Sequence, residues 1–175
     1  MYIAGEWVES ESLARFDAFS PATGEPIGSL PEGTRADVQL AIDAAIAAAP
    51  GWAARTPFDR ATILEEVAAA LSARRDDLAF TLTLEQGKPL YAEAYTEVDD
   101  VIEYFRMAAA DARRLEGMLP PSVDPKKRVF IQRVPRGVIG VITPWNWPYE
   151  MPAEILAPAL GYGNTVVWTP APSTA

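Results

Sequence analysis

The sequence predicts an α/β fold in which short hairpins and four helices lead into a parallel sheet. Three observations favour it. Residues 1–32 alternate in hydropathy and carry turn-forming clusters, as short antiparallel strands do. Residues 34–115 repeat apolar side chains at helical spacing. Residues 138–170 hold two continuous apolar runs around a short helical stretch, which is typical of a strand–helix–strand unit in a parallel sheet.

The N-terminal segment is predicted to form two hairpins and then the first helix. A turn cluster at residues 20–24 places one hairpin tip near Gly24. Thr34 can cap the helix together with Asp37, three residues later, in the manner of a capping box. We expect this helix to stop at Pro50, because proline cannot donate the backbone hydrogen bond that a helix interior requires.

Three further helices are predicted after the first. Thr56 and Pro57 form a cap and a first-turn proline for the second helix. Gly87 is the predicted left-handed end of the third helix. The fourth helix is predicted to run from about Leu90 to Leu115. Its expected buried face consists of apolar residues at helical spacing, namely Ala94, Val98, Val101, Phe105, Ala109 and Ala112.

The C-terminal third contains the predicted parallel strands. A proline-rich connector precedes residues 128–134, which have the composition of a strand exposed along one edge. The apolar runs VIGVITPW at 138–145 and TVVWTP at 165–170 predict two buried strands, with a helix over 149–160 between them. Pro158 is expected to kink or end that helix.

The composition excludes several classes of function. The chain of 175 residues carries a net charge of −9 without a basic block, so we expect no nucleic-acid partner. It contains no cysteine and no histidine, which removes thiol nucleophiles, histidine bases and the usual zinc sites from these residues. The first ten residues lack a secretory pattern, and no apolar run reaches the roughly 20 residues of a membrane span. We therefore expect a cytoplasmic protein without a membrane partner.

Two polar loops directly follow the predicted strands, and both are candidate ligand sites. One is TPWNWP at residues 143–148, and the other is TPAPST at residues 169–174. Parallel strands would bring both loops to the same edge of the sheet, where α/β proteins bind ligands. No glycine-rich phosphate-binding motif is present, so these patterns do not by themselves indicate a dinucleotide.

Asn146 in the first loop allows two interpretations. As a turn residue, it would bond its own loop backbone, which is an ordinary role of asparagine in turns. As a preorganised donor between Trp145 and Trp147, it would stabilise a developing oxyanion, an effect of ~3–4 kcal/mol in acyl transfer. Local chemistry alone favours the turn.

Lys88 and an acidic cluster on the fourth helix also allow alternatives. Lys88 could be a reactive lysine, but its place just after the third helix favours a cation that complements the helix dipole. The cluster could hold a metal ion, but a solvated face or ion pairs with residues such as Arg106 is the simpler interpretation. Its carboxylates are Glu97, Asp99 and Asp100.

Four long stretches then occur in a characteristic order. They are YIAGEWVES, SPATGEPIGSLPEGTRADVQLAIDAA, LTLEQGKPLYAEAYTEVDDVIEYFR and PRGVIGVITPWNWPYEMPAEILAPALGYGNTVVWTP. In this order the chain resembles, from end to end, the N-terminal third of the NAD(P)-dependent aldehyde dehydrogenase superfamily.

The resemblance implies a fold, a reaction and a set of site residues. The sheet would be the family's Rossmann-like parallel sheet, incomplete in this chain. The family oxidises an aldehyde to a carboxylic acid: a cysteine thiolate attacks the carbonyl, hydride passes to NAD or NADP, and water activated by a glutamate cleaves the thioester. Asn146 stands at the position of the family's oxyanion donor. The residues implied to line the cofactor cleft are Ile142, Thr143, Pro144, Trp145 and Thr169.

Two departures from the family pattern matter. The catalytic cysteine and the general-base glutamate lie farther along the family's sequence, so we expect this chain to be a piece of a longer enzyme that is not competent alone. Thr169 and Pro172 stand where the family usually has the lysine and glutamate that hold the adenosine ribose. Because Pro172 has no side-chain polar group, the choice between NAD and NADP stays open.

The resemblance also divides the chain and implies a partner. Residues 1–121 would form the hairpins and helices, 122–137 a connector and a strand of the oligomerisation arm, and 138–175 the start of the nucleotide-binding sheet. Full-length homodimers or homotetramers are therefore expected. The alternative hypothesis is a non-catalytic short form that binds nucleotide weakly or pairs with an intact subunit. A reading frame that continues past Ala175 into a cysteine-bearing segment would contradict it.

Overall fold

Two small antiparallel hairpins form the N-terminus of the computed structural model, which describes residues 1–175. Strand β1 (Tyr2–Ile3) pairs with β2 (Glu6–Trp7), and β3 (Arg15–Phe19) pairs with β4 (Pro26–Pro31). Gly24 has a φ of 73° between β3 and β4, a left-handed conformation that glycine adopts without steric cost. The predicted hairpin tip is therefore confirmed.

Four α-helices follow the hairpins. They are α1 (Arg35–Ala53), α2 (Pro57–Ala73), α3 (Arg75–Gln86) and α4 (Tyr95–Ala112), and one π-helical turn at Leu90–Ala94 leads into α4. The predicted fourth helix is thus a π-helical turn joined to a shorter α-helix. No helix in the structure combines the length and the apolar character that crossing a membrane requires.

A capping box begins α1, as predicted, and another begins α2, where the sequence predicted a cap at Thr56. At the start of α1, the Thr34 amide donates to Asp37 Oδ2 at 2.7 Å, and the Asp37 amide donates to Thr34 Oγ1 at 3.3 Å. The Asp37 carboxylate also accepts from the Ser10 hydroxyl and the Glu11 amide, which ties the helix to the N-terminal hairpin. These hydrogen bonds hold the pKa of Asp37 well below its usual range, and the bond from the Thr34 backbone has the largest effect. The box at the start of α2 repeats the arrangement.

Two helices continue through prolines that were predicted to end or kink them. Helix α1 extends past Pro50 to Ala53, and the later helix α5 (Glu150–Gly161) extends past Pro158. Each proline lies in the last turn, where its missing N–H costs a single intrahelical bond. Each proline carbonyl still accepts a hydrogen bond four residues on, so the last turn closes at 3.0 Å in both helices.

The core lies where α4 packs against α2, α3 and α5. It consists largely of alanines, which allow the helix backbones to approach closely. Gly161 fits the same contact, because a Cβ there would lie 3.2 Å from the Ala108 carbonyl oxygen. The predicted buried face of α4 is confirmed, although Phe105 is only half-buried. On α1, by contrast, the apolar side chains of Val38 and Ile46 are exposed.

The C-terminal unit confirms the predicted strand–helix–strand arrangement. Strands β5 (Val138–Ile142) and β6 (Thr165–Thr169) are parallel, and α5 connects them. Helix α1 packs against this pair, and the Thr165 hydroxyl donates to the Ala45 carbonyl at 2.9 Å. The two strands form a sheet of their own, separate from the N-terminal hairpins.

The connector between α4 and β5 contains no strand. An isolated antiparallel bridge joins Met118 to Ile131, so the strand predicted over 128–134 does not form within this chain. Gly117 allows the bridge, because a Cβ there would collide with the Ile131 carbonyl oxygen. Several apolar side chains of this segment are exposed, namely Met118, Leu119, Val123, Phe130 and Val134.

Candidate functional site

The two polar loops meet at one edge of the β5–β6 pair. Ile142 and Thr169, the last residues of the two strands, lie opposite each other in the parallel register. Beyond them, the Thr143 amide donates to the Thr169 carbonyl at 3.4 Å. The prediction that both loops share the carboxyl edge of a parallel sheet is confirmed, and this is the edge where α/β sheets bind ligands.

The five residues predicted to line a cofactor cleft divide into an exposed set and one buried member. Thr143 is buried, and its hydroxyl accepts a hydrogen bond of 3.0 Å from the indole N–H of Trp168. This bond ties the end of β5 to the end of β6. The other four side chains are exposed at the same edge: Ile142, Pro144, Trp145 and Thr169.

Asn146 presents a free side-chain amide. The residue is exposed, and its side chain makes no hydrogen bond within the chain. Its backbone carbonyl, however, accepts hydrogen bonds from Gln86 Nε2 at 2.8 Å and Lys88 Nζ at 3.2 Å. The bond from the side chain to the loop backbone that the turn interpretation requires is absent. The backbone is therefore held while the amide remains available.

Gln86 and Lys88 reach this loop because α3 ends between them. Gly87 has a φ of 78°, and this left-handed residue redirects the chain as predicted. Gln86 Nε2 bridges the carbonyl oxygens of Trp145 and Asn146 at 2.9 and 2.8 Å. The sequence favoured Lys88 as a cation that complements the dipole of α3, and the structure adds contacts that this pattern did not indicate. Lys88 is buried, and its Nζ lies 3.6 Å from the ring centroid of Trp147.

Glu97 is the partner that permits the burial of Lys88. Its side chain is 0% exposed, and its Oε2 lies 2.5 Å from Lys88 Nζ. Its Oε1 accepts hydrogen bonds from the amides of Tyr149 and Glu150 at 2.9 and 3.2 Å. These amides begin α5, where a negative charge complements the helix dipole. The prediction of a solvated acidic face is therefore wrong for Glu97.

The neighbouring acidic residue Asp99 behaves as the sequence suggests, with a different partner. Both of its carboxylate oxygens lie 2.6 Å from the guanidinium of Arg75, at the protein surface. Arg106, the partner expected from the sequence, instead lies 3.9 Å from Glu103. Glu97 and Asp99 thus bind cations on opposite sides of α4, one buried and one exposed.

The other end of α5 is held by a buried cation. Arg60 of α2 donates from Nε to the Gly161 carbonyl at 3.0 Å, and burial lowers the pKa of this arginine. The indole N–H of Trp52 donates to the adjacent Leu160 carbonyl at 3.0 Å. A positive charge at a helix C-terminus complements the dipole. Residues from three other helices therefore hold both ends of α5.

The surroundings of the loop are acidic. Burial, together with the charges of Glu85 and Glu97, raises the pKa of the Tyr149 phenol to about 12. Burial and the nearby Asp100 raise the pKa of the Glu150 carboxyl, while the charge of Lys88 opposes this change. Lys88 therefore supplies a local positive charge beside the carbonyl of Asn146.

Both the sequence and the fold of the chain match those of known proteins. The sequence model of the aldehyde dehydrogenase family matches residues 7–175. The chain belongs to this family. Among curated members, the succinate-semialdehyde dehydrogenase (NADP(+)) of Escherichia coli K12 is 39% identical over 172 residues. That alignment covers 98% of this aldehyde dehydrogenase chain and 36% of the E. coli protein.

Solved aldehyde dehydrogenase structures superpose closely on the chain. The succinate-semialdehyde dehydrogenase of Burkholderia pseudomallei gives a TM-score of 0.96 at 43% identity, over 99% of this chain and 36% of that one. The crystal structure of PnpE in complex with nicotinamide adenine dinucleotide gives 0.92 at 32% identity, over 95% and 34%. The chain therefore has the fold of the family's N-terminal region and spans little more than a third of the relatives it matches.

Proposed function

We propose that this chain is the cofactor-side portion of an enzyme that oxidises an aldehyde to a carboxylic acid with NAD or NADP. Membership of the aldehyde dehydrogenase family supports the reaction class. The carrying observation is the geometry of Asn146, whose backbone carbonyl is held by two donors while its side-chain amide is exposed and unbonded. The E. coli relative is named for NADP(+) and the PnpE structure contains NAD, so the proposal includes both cofactors.

Asn146 acts at the carbonyl oxygen of the aldehyde. When a thiolate forms a C–S bond to the carbonyl carbon, negative charge develops on this oxygen, and the Asn146 amide donates to it. A donor that is already fixed stabilises this charge without reorganisation. The thiolate comes from outside these residues, which contain no cysteine. Transfer of hydride restores the carbonyl as a thioester, and water releases the acid and the thiol.

The open edge of the β5–β6 pair fits a nucleotide cofactor, which supplies the hydride acceptor when bound. Ile142, Pro144 and Trp145 offer apolar surface there, and Thr169 offers a hydroxyl. Pro172 offers neither a carboxylate to repel a 2′-phosphate nor a cation to attract one. In this proposal, Thr143 orients the strand ends through Trp168 rather than binding the cofactor by its side chain.

Asn146→Ala tests the proposal in the enzyme encoded by the complete reading frame. We expect kcat to fall about 100- to 1,000-fold, the usual cost of removing one oxyanion donor. Cofactor affinity, measured by fluorescence titration, should change little, because the substitution leaves the strand edge intact. Gln39→Ala, which removes an exposed amide on α1, is the matched control. An unchanged kcat in Asn146→Ala would contradict the oxyanion role.

The proposal extends to the assembly of the complete enzyme. The division at 1–121, 122–137 and 138–175 assigns the middle segment to a homodimer or homotetramer interface, which its exposed apolar side chains support. A cytoplasmic location is part of the same proposal. Phe130→Asp should shift the complete enzyme toward monomer in sedimentation velocity. An unchanged distribution of species would contradict this assignment.

A further inference from the structure

The structure assigns Lys88 the role of a positioning residue for Asn146. We infer that its ammonium group fixes the backbone from which the candidate oxyanion donor projects. This inference rests on the oxyanion role proposed above and extends it to a residue outside the loop. Lys88 would thus act through Asn146, without touching the substrate.

The contacts of Lys88 account for its whole charged group. A lysine ammonium has three N–H donors, and here three partners surround it. They are the Glu97 carboxylate at 2.5 Å, the Asn146 carbonyl at 3.2 Å and the face of the Trp147 ring at 3.6 Å. The side chain is 5% exposed, so water does not compete strongly for these donors. Two of the three partners belong to the loop.

Lys88 and Glu97 hold the loop at two points along its backbone. Lys88 holds the carbonyl of Asn146, and the second oxygen of Glu97 holds the amides of Tyr149 and Glu150. The stretch from Asn146 to Tyr149 is therefore fixed at both ends by one ion pair. Gln86 adds a bond to the Trp145 carbonyl on the preceding side. The side-chain amide of Asn146 projects from a backbone that is held on both sides.

Stability alone does not explain this arrangement. Two charges lose their hydration on burial, and a buried ion pair is often no more stabilising than apolar residues of the same volume. The buried ammonium needs an acceptor beyond Glu97, and the one that it finds is a loop carbonyl. The bond from Lys88 to Asn146 gives the pair a second consequence, which is a defined backbone position at the candidate donor.

The test must separate positioning from folding. Lys88→Met leaves Glu97 as an unpaired buried charge, so a loss of activity would also follow from unfolding. The double variant Lys88→Met/Glu97→Gln removes both charges, and its glutamine Oε1 can still accept from the amides of Tyr149 and Glu150. Arg75→Met is the matched control, because it breaks an exposed ion pair to α4 without touching the loop.

In the complete enzyme, we expect Lys88→Met to lower both Tm and kcat. In the double variant, Tm should return close to the wild-type value while kcat stays about 10- to 100-fold low, because the Asn146 carbonyl has lost a donor. The KM for the cofactor should not change, and Arg75→Met should keep wild-type kcat. Recovery of kcat together with Tm would show a purely structural role and overturn the inference.

A second readout does not depend on activity. Nitrogen-15 relaxation on the complete enzyme, labelled at its asparagine and tryptophan residues, reports the order of the backbone amides of Asn146 and Trp147. We expect this order to fall in the double variant and to stay unchanged in Arg75→Met. Unchanged order in the double variant would overturn the positioning role whatever the enzyme does. Full activity in Asn146→Ala would instead overturn the proposed function. The relaxation result would still show whether Lys88 and Glu97 order the backbone of the loop.

Discussion

Glu97→Ala is expected to lower the free energy of unfolding by about 3–5 kcal/mol, the usual cost of removing one partner of a buried ion pair. Lys88 would keep its buried charge without a counterion. The amides of Tyr149 and Glu150 would also lose their acceptor at the start of α5. Urea unfolding followed by tryptophan fluorescence measures the loss.

Two control variants separate charge from hydrogen bonding at this position. Glu97→Gln keeps an acceptor for both amides and removes the charge, so its loss should lie between those of wild type and Glu97→Ala. Asp99→Ala removes the exposed partner of Arg75 on the same helix, and we expect a much smaller loss. Equal losses in Asp99→Ala and Glu97→Ala would contradict the importance of burial.

Leu64→Ala is expected to destabilise the chain by about 2–5 kcal/mol, the range for truncating a buried leucine. Leu64 is 1% exposed and packs among alanines of α2, α4 and α5. Alanines have no rotamers with which to fill the space, so much of the cavity should persist and the loss should lie in the upper part of this range. Equilibrium unfolding in urea gives the difference.

Leu40→Ala provides the comparison for Leu64. Leu40 lies on α1 and is 53% exposed, so its truncation removes the same atoms with little change in burial. We expect its midpoint in urea to stay close to that of wild type. A loss below about 1 kcal/mol for Leu64→Ala would mean that the helices close over the cavity, contrary to the tight packing around Gly161.

The helices and the parallel strand pair could be predicted because their signals are local. The capping boxes that begin with Thr34 and Thr56, and the left-handed Gly87, each lie within four residues of the helix end that they define. The apolar runs of β5 and β6 likewise indicated strands, but their predicted burial is wrong for the strand ends, where Ile142 and Thr169 are exposed. The prolines of α1 and α5 misled the prediction, because a last-turn proline removes only one hydrogen bond.

The strand predicted over 128–134 shows a different limit. Its composition suits a strand, but a strand forms only where another strand supplies partners for its backbone groups. Within this chain, Ile131 meets Met118 at a single bridge, and no second strand lies beside it. Composition therefore indicated a tendency that the described residues do not satisfy.

The support of the candidate site was missed because it depends on contacts between distant residues. Lys88 follows a helix-ending glycine, and the same local pattern occurs whether such a lysine is solvated or buried. A signal was nevertheless present at Glu97, which lies on the apolar face of α4 between Ala94 and Val101. A carboxylate on a buried face requires a cation or donors. The free amide of Asn146 likewise depends on donors about 60 residues away.

Glu97 holds the first residues of α5 and Arg60 holds its last residue, and this has a consequence for the order of folding. The helix has two prolines, no side-chain N-cap and no basic residue in its last turn, so its own sequence provides little to start or end it. Short helices without such support are marginal in water. Helix α5 therefore gains its stability only once α2 and α4 have assembled and supplied the charges at its ends. We therefore expect the Asn146 loop, which leads into α5, to take its final shape only after α2 and α4 have packed.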